Sequence, residues 1–177
     1  MRTSRIGAAT LLAVLAVTGC GAADDTPAPP VSAPPASTAA SPTEGEATLT
    51  FPVDDAQVRQ CEIFRGTSRL PENKTLILGV RNVDNGSPER YFQAVEDWEY
   101  PDDLVEWSGA QWFGSGDSSV GQRFRAEVLV VDLAQTKKAI HEADNKGWHS
   151  PDNPEGAIVA AHITLKRVAG PGPADCA

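Results

Sequence analysis

The chain has 177 residues and a formal charge of −9 at neutral pH, from 24 acidic and 15 basic side chains. An acidic chain argues against nucleic acid as the main partner and against electrostatic docking on anionic lipid. No apolar run reaches the roughly 18 residues that a membrane-spanning helix needs. The length allows one ordinary domain with additional segments and is too short for two large domains.

The first twenty residues have the pattern of an export signal. Residues 1–5 carry two arginines, and residues 6–17 form an apolar stretch that suits a signal peptide and is too short to cross a membrane. The stretch runs into the tetrapeptide VTGC, which resembles the lipobox of bacterial lipoproteins. This resemblance implies that residues 1–19 are removed and that Cys20 becomes diacylglyceryl-modified. The mature chain would then be anchored by lipid at the outer face of the cytoplasmic membrane.

The segment after Cys20 predicts a linker. Residues 21–46 include six prolines and seven alanines, and they show no periodic apolar pattern. Such a segment cannot bury enough apolar surface to offset the entropy of ordering it. We therefore expect a lipidated cysteine with a disordered Pro/Ala-rich linker over residues 20–46 and a folded domain over residues 47–177.

Alternation of apolar and polar residues dominates the folded region and predicts a mainly β structure. Turn-forming stretches rich in Gly, Pro, Asn and Asp separate the candidate strands. We expect an immunoglobulin-like β-sandwich of about seven strands, at residues 48–51, 58–65, 75–80, 90–95, 106–113, 123–130 and 159–166.

One segment near the C-terminus departs from this alternation. Residues 132–144 predict a short helix with Asp132 as its N-cap and with Leu133, Thr136, Ile140 and Ala143 on one side. A helix between two strands is expected to lie across one end or edge of the sandwich.

Two cysteines, Cys61 and Cys176, belong to the folded region. Export to an oxidising compartment makes a disulfide between them the default expectation. Their wide separation in sequence does not suit a short-spaced metal site. The alternative is one reactive and one buried thiol.

Residues 91–113 hold seven of the eleven aromatic side chains and six carboxylates. Aromatic faces stack on sugar rings, and carboxylates accept hydrogen bonds from sugar hydroxyls. The segment therefore suits a ligand- or glycan-binding surface. The candidate binding residues are Glu96, Asp97, Trp98, Tyr100 and Trp107.

The same segment leaves two other interpretations open. Trp107, Trp112 and Phe92 would fill the sandwich core while the carboxylates solvate a loop. Alternatively, two carboxylates between residues 96 and 106 would serve a polysaccharide hydrolase, which needs such a pair at a fixed separation.

The remaining motifs predict neither a cofactor nor a catalytic residue. Residues 114–121, with the sequence GSGDSSVG, lack the ending of a phosphate-binding loop and the pattern of a nucleophile elbow, so they predict a turn. His141 is expected on the helix, His149 in a turn and His162 on a strand, and none has metal-ligand spacing to another. We therefore expect no cofactor and no metal site.

A series of strand and turn motifs resembles β-sandwich domains in actinobacterial envelope proteins. In those domains a G…LP strand pair, a tryptophan strand and a GxxF strand leading into a short helix recur. The resemblance covers most of residues 47–177 and implies no functional residue beyond Cys20. The motifs are FRG at 64–66, LP at 70–71, YF at 91–92, QWFG at 111–114, GQRF at 121–124 and VAGP at 168–171.

Together these patterns predict a lipid-anchored, extracytoplasmic protein with a non-catalytic ligand- or protein-binding β-sandwich. The alternative is an envelope polysaccharide hydrolase or a glycan-binding module built from residues 91–113. The expected partners are the membrane, through the lipid, and an envelope protein or glycan, but no nucleic acid.

Overall fold

A computed structural model describes residues 45–143, 147–173 and 176. The expected signal peptide, Cys20 and nearly all of the linker lie outside the described residues, so they stay predictions. Within the described part the fold is mainly β, with nine strands and one α-helix near the C-terminus. Two sheets face each other in a sandwich-like arrangement that does not close into a barrel, and the predicted fold class is confirmed.

The two sheets differ in width. All neighbouring strands are antiparallel except the two at one edge of the wide sheet, which are parallel. In spatial order the narrow sheet contains β1 (Glu46–Phe51), β3 (Cys61–Arg69) and β6 (Glu106–Trp112). In the same way the wide sheet contains β2 (Gln57–Val58), β9 (Ile158–Arg167), β7 (Arg123–Asp132), β4 (Lys74–Asn82), β5 (Arg90–Ala94) and β8 (Trp148–Ser150).

The main core lies between the two sheets. Leu76, Leu78 and Val80 alternate inward along β4, as their spacing predicts, and inward residues of β7 lie beside them. Phe113 joins the sheets, because its ring centroid is 6.2 Å from that of Phe64 and 5.5 Å from that of Phe124. Burial of these apolar side chains stabilises the fold.

A second, smaller cluster lies on the outer face of the wide sheet. Alternation along their strands predicts that Ile77 and Leu129 face solvent, yet both are buried with Val131 and Phe92. Trp148, after the helix, packs against this cluster, and the helix α1 (Leu133–Glu142) packs on β7 and β4. A strand that is buried on both faces has apolar residues at successive positions, so apolar and polar residues no longer alternate along it.

The strand expected at residues 58–65 was wrong, because two strands occupy that region. Val58 pairs with β9 in the wide sheet, whereas Cys61 begins β3 in the narrow sheet. The chain changes sheets at Gln60, whose N–H donates to the Gly170 carbonyl and whose carbonyl accepts from the Phe113 N–H. Both partners lie outside the strands, so Gln60 belongs to neither β2 nor β3 and separates the two.

Two further expectations need correction. Alternation with Ile163 and Leu165 predicts that Val159 faces the core, but Val159 is 41% exposed, because the register shifts between Val128 and Leu129 and moves it to the other face. His149 was expected in a turn but belongs to β8, where it pairs with Tyr91. With two residues in β2 and three in β8, these strands are too short for alternation to be visible.

The helix begins as predicted. The Asp132 side chain accepts hydrogen bonds from the N–H groups of Ala134 at 3.0 Å and Gln135 at 3.1 Å, which confirms it as the N-cap. Thr136 is buried, but Ile140 is exposed, so only part of the expected apolar side packs. In the described part of the chain, no helix is long and apolar enough to cross a membrane.

A disulfide joins Cys61 to Cys176, as predicted. Both sulfurs are buried with Ile63 on the outer face of the narrow sheet. The C-terminal segment lies close to this face, since a Cβ added at Gly172 would approach the Cys61 carbonyl oxygen to 2.6 Å. The bond therefore holds the end of the chain against the narrow sheet.

Candidate functional site

A cleft of about 720 Å³ opens where the wide sheet extends beyond the narrow one. Tyr91 and Gln93 pair with Val80 and Leu78, so they lie on the face of the sheet that carries the core. Strand β6, at the edge of the narrow sheet, covers β4 but leaves both β5 residues exposed. The unequal widths of the sheets thus produce the cleft.

A buried amide connects the two sheets at the inner wall of the cleft. Gln111 is 3% exposed, and its Nε2 donates to the carbonyl oxygens of Leu78 at 3.2 Å and Tyr91 at 3.1 Å. Its Oε1 accepts from the N–H of Trp112 at 2.9 Å. With both ends of the amide paired, β6 is fixed relative to β4 and β5.

Aromatic residues of both sheets belong to the cleft lining. Tyr91 is 49% exposed on the wide sheet, and Trp112 is 47% exposed at the end of β6. Trp148 also borders the cleft, but its half-buried ring packs on Phe92 at the outer face of the wide sheet, with ring centroids 5.1 Å apart. Ring faces held by packing present flat apolar surface next to polar groups, which suits ligands that have both kinds of surface.

The glycine-rich loop at residues 114–121 forms one wall and is a turn, as predicted. Gly114 has φ of 71°, and a Cβ there would come within 2.3 Å of the Ser119 hydroxyl. Arg167 is buried, and its Nη1 donates to the Gly116 carbonyl at 2.7 Å. This contact fixes the loop, and Ser115 and Ser118 line the cleft from it.

A loop between β4 and β5 forms a neighbouring part of the rim. The Asn82 Oδ1 accepts from the N–H groups of Asp84 at 2.9 Å and Asn85 at 3.2 Å, and the Asn82 amide also donates to the Gln122 side chain. Asp84 is bound by the Arg123 guanidinium, with Nη2 2.8 Å from Oδ1. The Arg123 hydrogen bonds lower the pKa of Asp84, and the pKa of Arg123 is raised in turn.

The cleft lining is mainly neutral. Among the described residues, Glu89 is the one carboxylate in this lining. Its Oε2 lies 3.3 Å from Nδ1 of His149. The remaining polar side chains of the lining are amides and hydroxyls: Gln60, Asn82, Asn85, Ser87, Gln93, Gln111, Ser115, Ser118, Ser119 and Gln122, with the Tyr91 phenol. Groups of this kind both donate and accept hydrogen bonds without adding charge.

The five predicted binding residues do not form one surface. Trp107 is 3% exposed in the main core, where the alternative interpretation placed it, so its ring is not available to a ligand. Glu96 and Trp98 line an adjoining hollow of about 430 Å³, which shares Phe92, Gln93, Gly147 and Trp148 with the cleft. Asp97 and Tyr100 are exposed and line neither space.

The residues that line the cleft came only partly from the aromatic segment. Tyr91 and Trp112 belong to it, although the core interpretation had included Trp112, which is wrong for a ring that is 47% exposed. Trp148 was missed because it lies far along the chain on a three-residue strand. One signal could have located Trp112, since an odd spacing from Trp107 on one strand places the two rings on opposite faces.

The chain matches no protein-family model, no curated protein and no solved structure. The described residues also contain no group of three or more His, Cys, Asp or Glu arranged to hold a metal ion. Functional inference for this chain therefore rests on the residues and geometry of the cleft.

Proposed function

We propose that the protein is a lipid-anchored, extracytoplasmic binding protein whose cleft holds a neutral glycan without catalysing a reaction. The observation that carries this proposal is the exposed Tyr91 ring, with Trp112 at the end of β6, beside a lining of amides and hydroxyls. Sugar rings have apolar C–H faces and polar hydroxyl edges. An aromatic wall with neutral hydrogen-bonding groups complements both parts.

A binding role fits the cleft better than hydrolysis. Glycosidases generally need two carboxylates, separated by about 5 to 10 Å, to act as acid and as base or nucleophile. Among the described lining residues of the cleft, Glu89 is the single carboxylate, and His149 already contacts it. Of the carboxylates expected to serve a hydrolase, Glu96 lines the adjoining hollow and none lines the cleft itself among the described residues.

The location rests on the N-terminal pattern and on the disulfide. The lipobox-like sequence before Cys20 supports removal of the signal and lipid attachment. The Cys61–Cys176 bond supports the same compartment, because disulfides persist mainly in oxidising environments outside the cytoplasm. A long Pro/Ala-rich linker would separate the folded domain from the membrane surface.

The anchor is tested by substitution of Cys20→Ala. We expect the wild-type chain in the membrane fraction and the variant in the soluble extracytoplasmic fraction, because two acyl chains provide stable anchoring. Metabolic labelling with a fatty-acid analogue provides the second measurement. Retention of the Cys20→Ala chain in membranes would contradict the anchor.

The glycan is tested on an array with the full chain carrying Cys20→Ala. We expect binding to one class of neutral glycan, with losses of about tenfold or more on Tyr91→Ala or Trp112→Ala. Tyr100→Ala is the matched control, because Tyr100 is 60% exposed and lies outside the cleft. Absence of glycan binding, or equal losses in all three variants, would contradict the proposal.

A further inference from the structure

A row of three arginines crosses the outer face of the wide sheet, on the side opposite the cleft. Arg125 on β7 pairs directly with Arg81 on β4. Arg90 lies on the other side of Arg81, because it precedes Tyr91, the partner of Val80 on β4. We call Arg81, Arg90 and Arg125 the arginine row.

Hydroxyl-bearing residues extend the arginine row at both ends. Thr164 on β9 pairs with Arg125, and Ser150 on β8 pairs with Arg90. Five neighbouring strands therefore present hydrogen-bond donors along one line. A row of this kind is unusual on a chain with a net charge of −9.

One carboxylate is shared by two members of the row. Glu127 is 6% exposed, and its Oε1 accepts from Nε of Arg125 at 2.6 Å. Its Oε2 lies 3.9 Å from Nε of Arg90, beyond hydrogen-bonding distance. One negative charge among three positive charges leaves this part of the sheet with an excess of positive charge.

Two donors of the row are buried without an acceptor. Nε of Arg81 and Nε of Arg90 have no hydrogen-bond partner, and Arg81 has no ion pair among the described residues. Like charges placed directly opposite each other on neighbouring strands are destabilising, and so is a buried donor without an acceptor. An anion bound to the guanidinium nitrogens of these partly buried arginines would offset the repulsion between their like charges.

We infer that the arginine row binds an oxyanionic group, a phosphate ester or a carboxylate, with Arg81 as its main contact. The planar guanidinium presents parallel N–H donors that match the spacing of oxygens in these groups. Arg90 provides a second Nε without a hydrogen-bond partner, and the hydroxyl-bearing residues Thr164 and Ser150 lie at the ends of the row. Because the row and the cleft lie on opposite faces of the sheet, this site does not depend on the proposed glycan.

Anion titrations on the full chain carrying Cys20→Ala test the site. Inorganic phosphate and acetate are added in separate arms at constant ionic strength, with chloride as the balancing salt, and binding is followed by calorimetry and by Tm. We expect at least one of the two anions to bind and to raise Tm. Arg81→Gln should weaken binding about tenfold or more, because it removes charge-assisted hydrogen bonds.

Arg69→Gln is the matched control, since Arg69 is an exposed arginine at the end of β3 in the other sheet. It makes the same change in net charge and should leave binding unchanged. Without added anion, Arg81→Gln should keep or raise Tm, because it removes an unpaired charge opposite Arg125. This result would show that weaker binding does not come from misfolding.

The two arms also identify the ligand chemistry. A response to phosphate alone assigns a phosphate ester, and a response to acetate alone assigns a carboxylate. No response to either anion would overturn the site. Equal responses in wild type, Arg81→Gln and Arg69→Gln would also overturn it, because they would show only general ionic effects.

Discussion

Trp107 and Trp112 lie five residues apart on the same strand, and their environments are opposite. Trp107 is 3% exposed and belongs to the core between the sheets, whereas Trp112 is 47% exposed at the cleft. Their odd spacing places them on different faces of β6. The narrow sheet therefore contributes one aromatic ring to stability and one to the surface.

The wide sheet shows the same difference along its width. Val80 on β4 is buried beneath the narrow sheet, but its neighbour Tyr91 on β5 faces the same side and is half-exposed. Cover from the opposite sheet, more than the type of side chain, decides which inward residues become core. Aromatic density in sequence cannot report this, because sheet width is a property of the whole fold.

The first prediction compares the two tryptophans by substitution. Trp107→Ala should lower the free energy of unfolding by about 3–5 kcal/mol, because it leaves a large cavity in the core. Trp112→Ala should lower it by less than about 1 kcal/mol, as expected for a half-exposed side chain. Urea unfolding followed by circular dichroism measures both. Equal losses would contradict the assignment of the two faces.

The second prediction concerns the disulfide on the narrow sheet. With Cys20→Ala as background, Cys176→Ala should lower the free energy of unfolding by about 2–5 kcal/mol, since it removes a link across most of the folded chain. Addition of a reducing agent should destabilise the parent chain and leave the double variant unchanged. Parent and double variant of equal stability under oxidising conditions would contradict this role.

The third prediction uses two strand glycines that differ in their surroundings. A Cβ at Gly66 would lie 1.9 Å from the Thr48 carbonyl oxygen and 2.5 Å from the Trp107 ring. Gly66→Ala should therefore lower the free energy of unfolding by about 1–3 kcal/mol, the range for overpacking. Gly79→Ala is the control, because its nearest atom is a Phe92 side-chain carbon at 3.1 Å. A larger loss at Gly79 would contradict this interpretation.

Local patterns predicted much of the fold. Alternation located strands at β1, β4, β5, β6, β7 and β9, and the Asp132 cap marked the start of the helix. These features depend on residues that are close together in sequence, so local sequence patterns are enough to predict them. The disulfide followed from compartment and cysteine count, because only two cysteines remained to pair.

The candidate site could be predicted only in part, because long-range packing assembles it. Trp148 reaches the cleft through a three-residue strand, and Gln111 is buried only because two sheets meet around its amide. The change of sheets at Gln60 likewise depends on hydrogen bonds to distant segments. Periodicity within a strand contains no information on these contacts.

The smallest expected effect concerns the rim loop of the cleft and its pH dependence. The Arg123 hydrogen bonds lower the pKa of Asp84, so the carboxylate stabilises the folded state above the pKa that it has in the unfolded chain, about 3.9. This contribution is lost as the pH falls through the lower pKa of the folded state. Asp84→Asn should therefore lower Tm at pH 7 by only about 1–2 °C, because the pair is exposed to solvent.

The difference in Tm between wild type and Asp84→Asn should shrink as the pH is lowered below the ordinary aspartate range, because protonation of Asp84 removes the same ion pair. Arg123→Gln provides the matched partner. The double variant should be as stable as either single variant within experimental error. Thermal unfolding across the acid range measures all four chains. A Tm difference that persists or grows with acidification would contradict this prediction. It would show that Asp84 stabilises the rim through a contact other than its charge, and that the cleft keeps its shape without this ion pair.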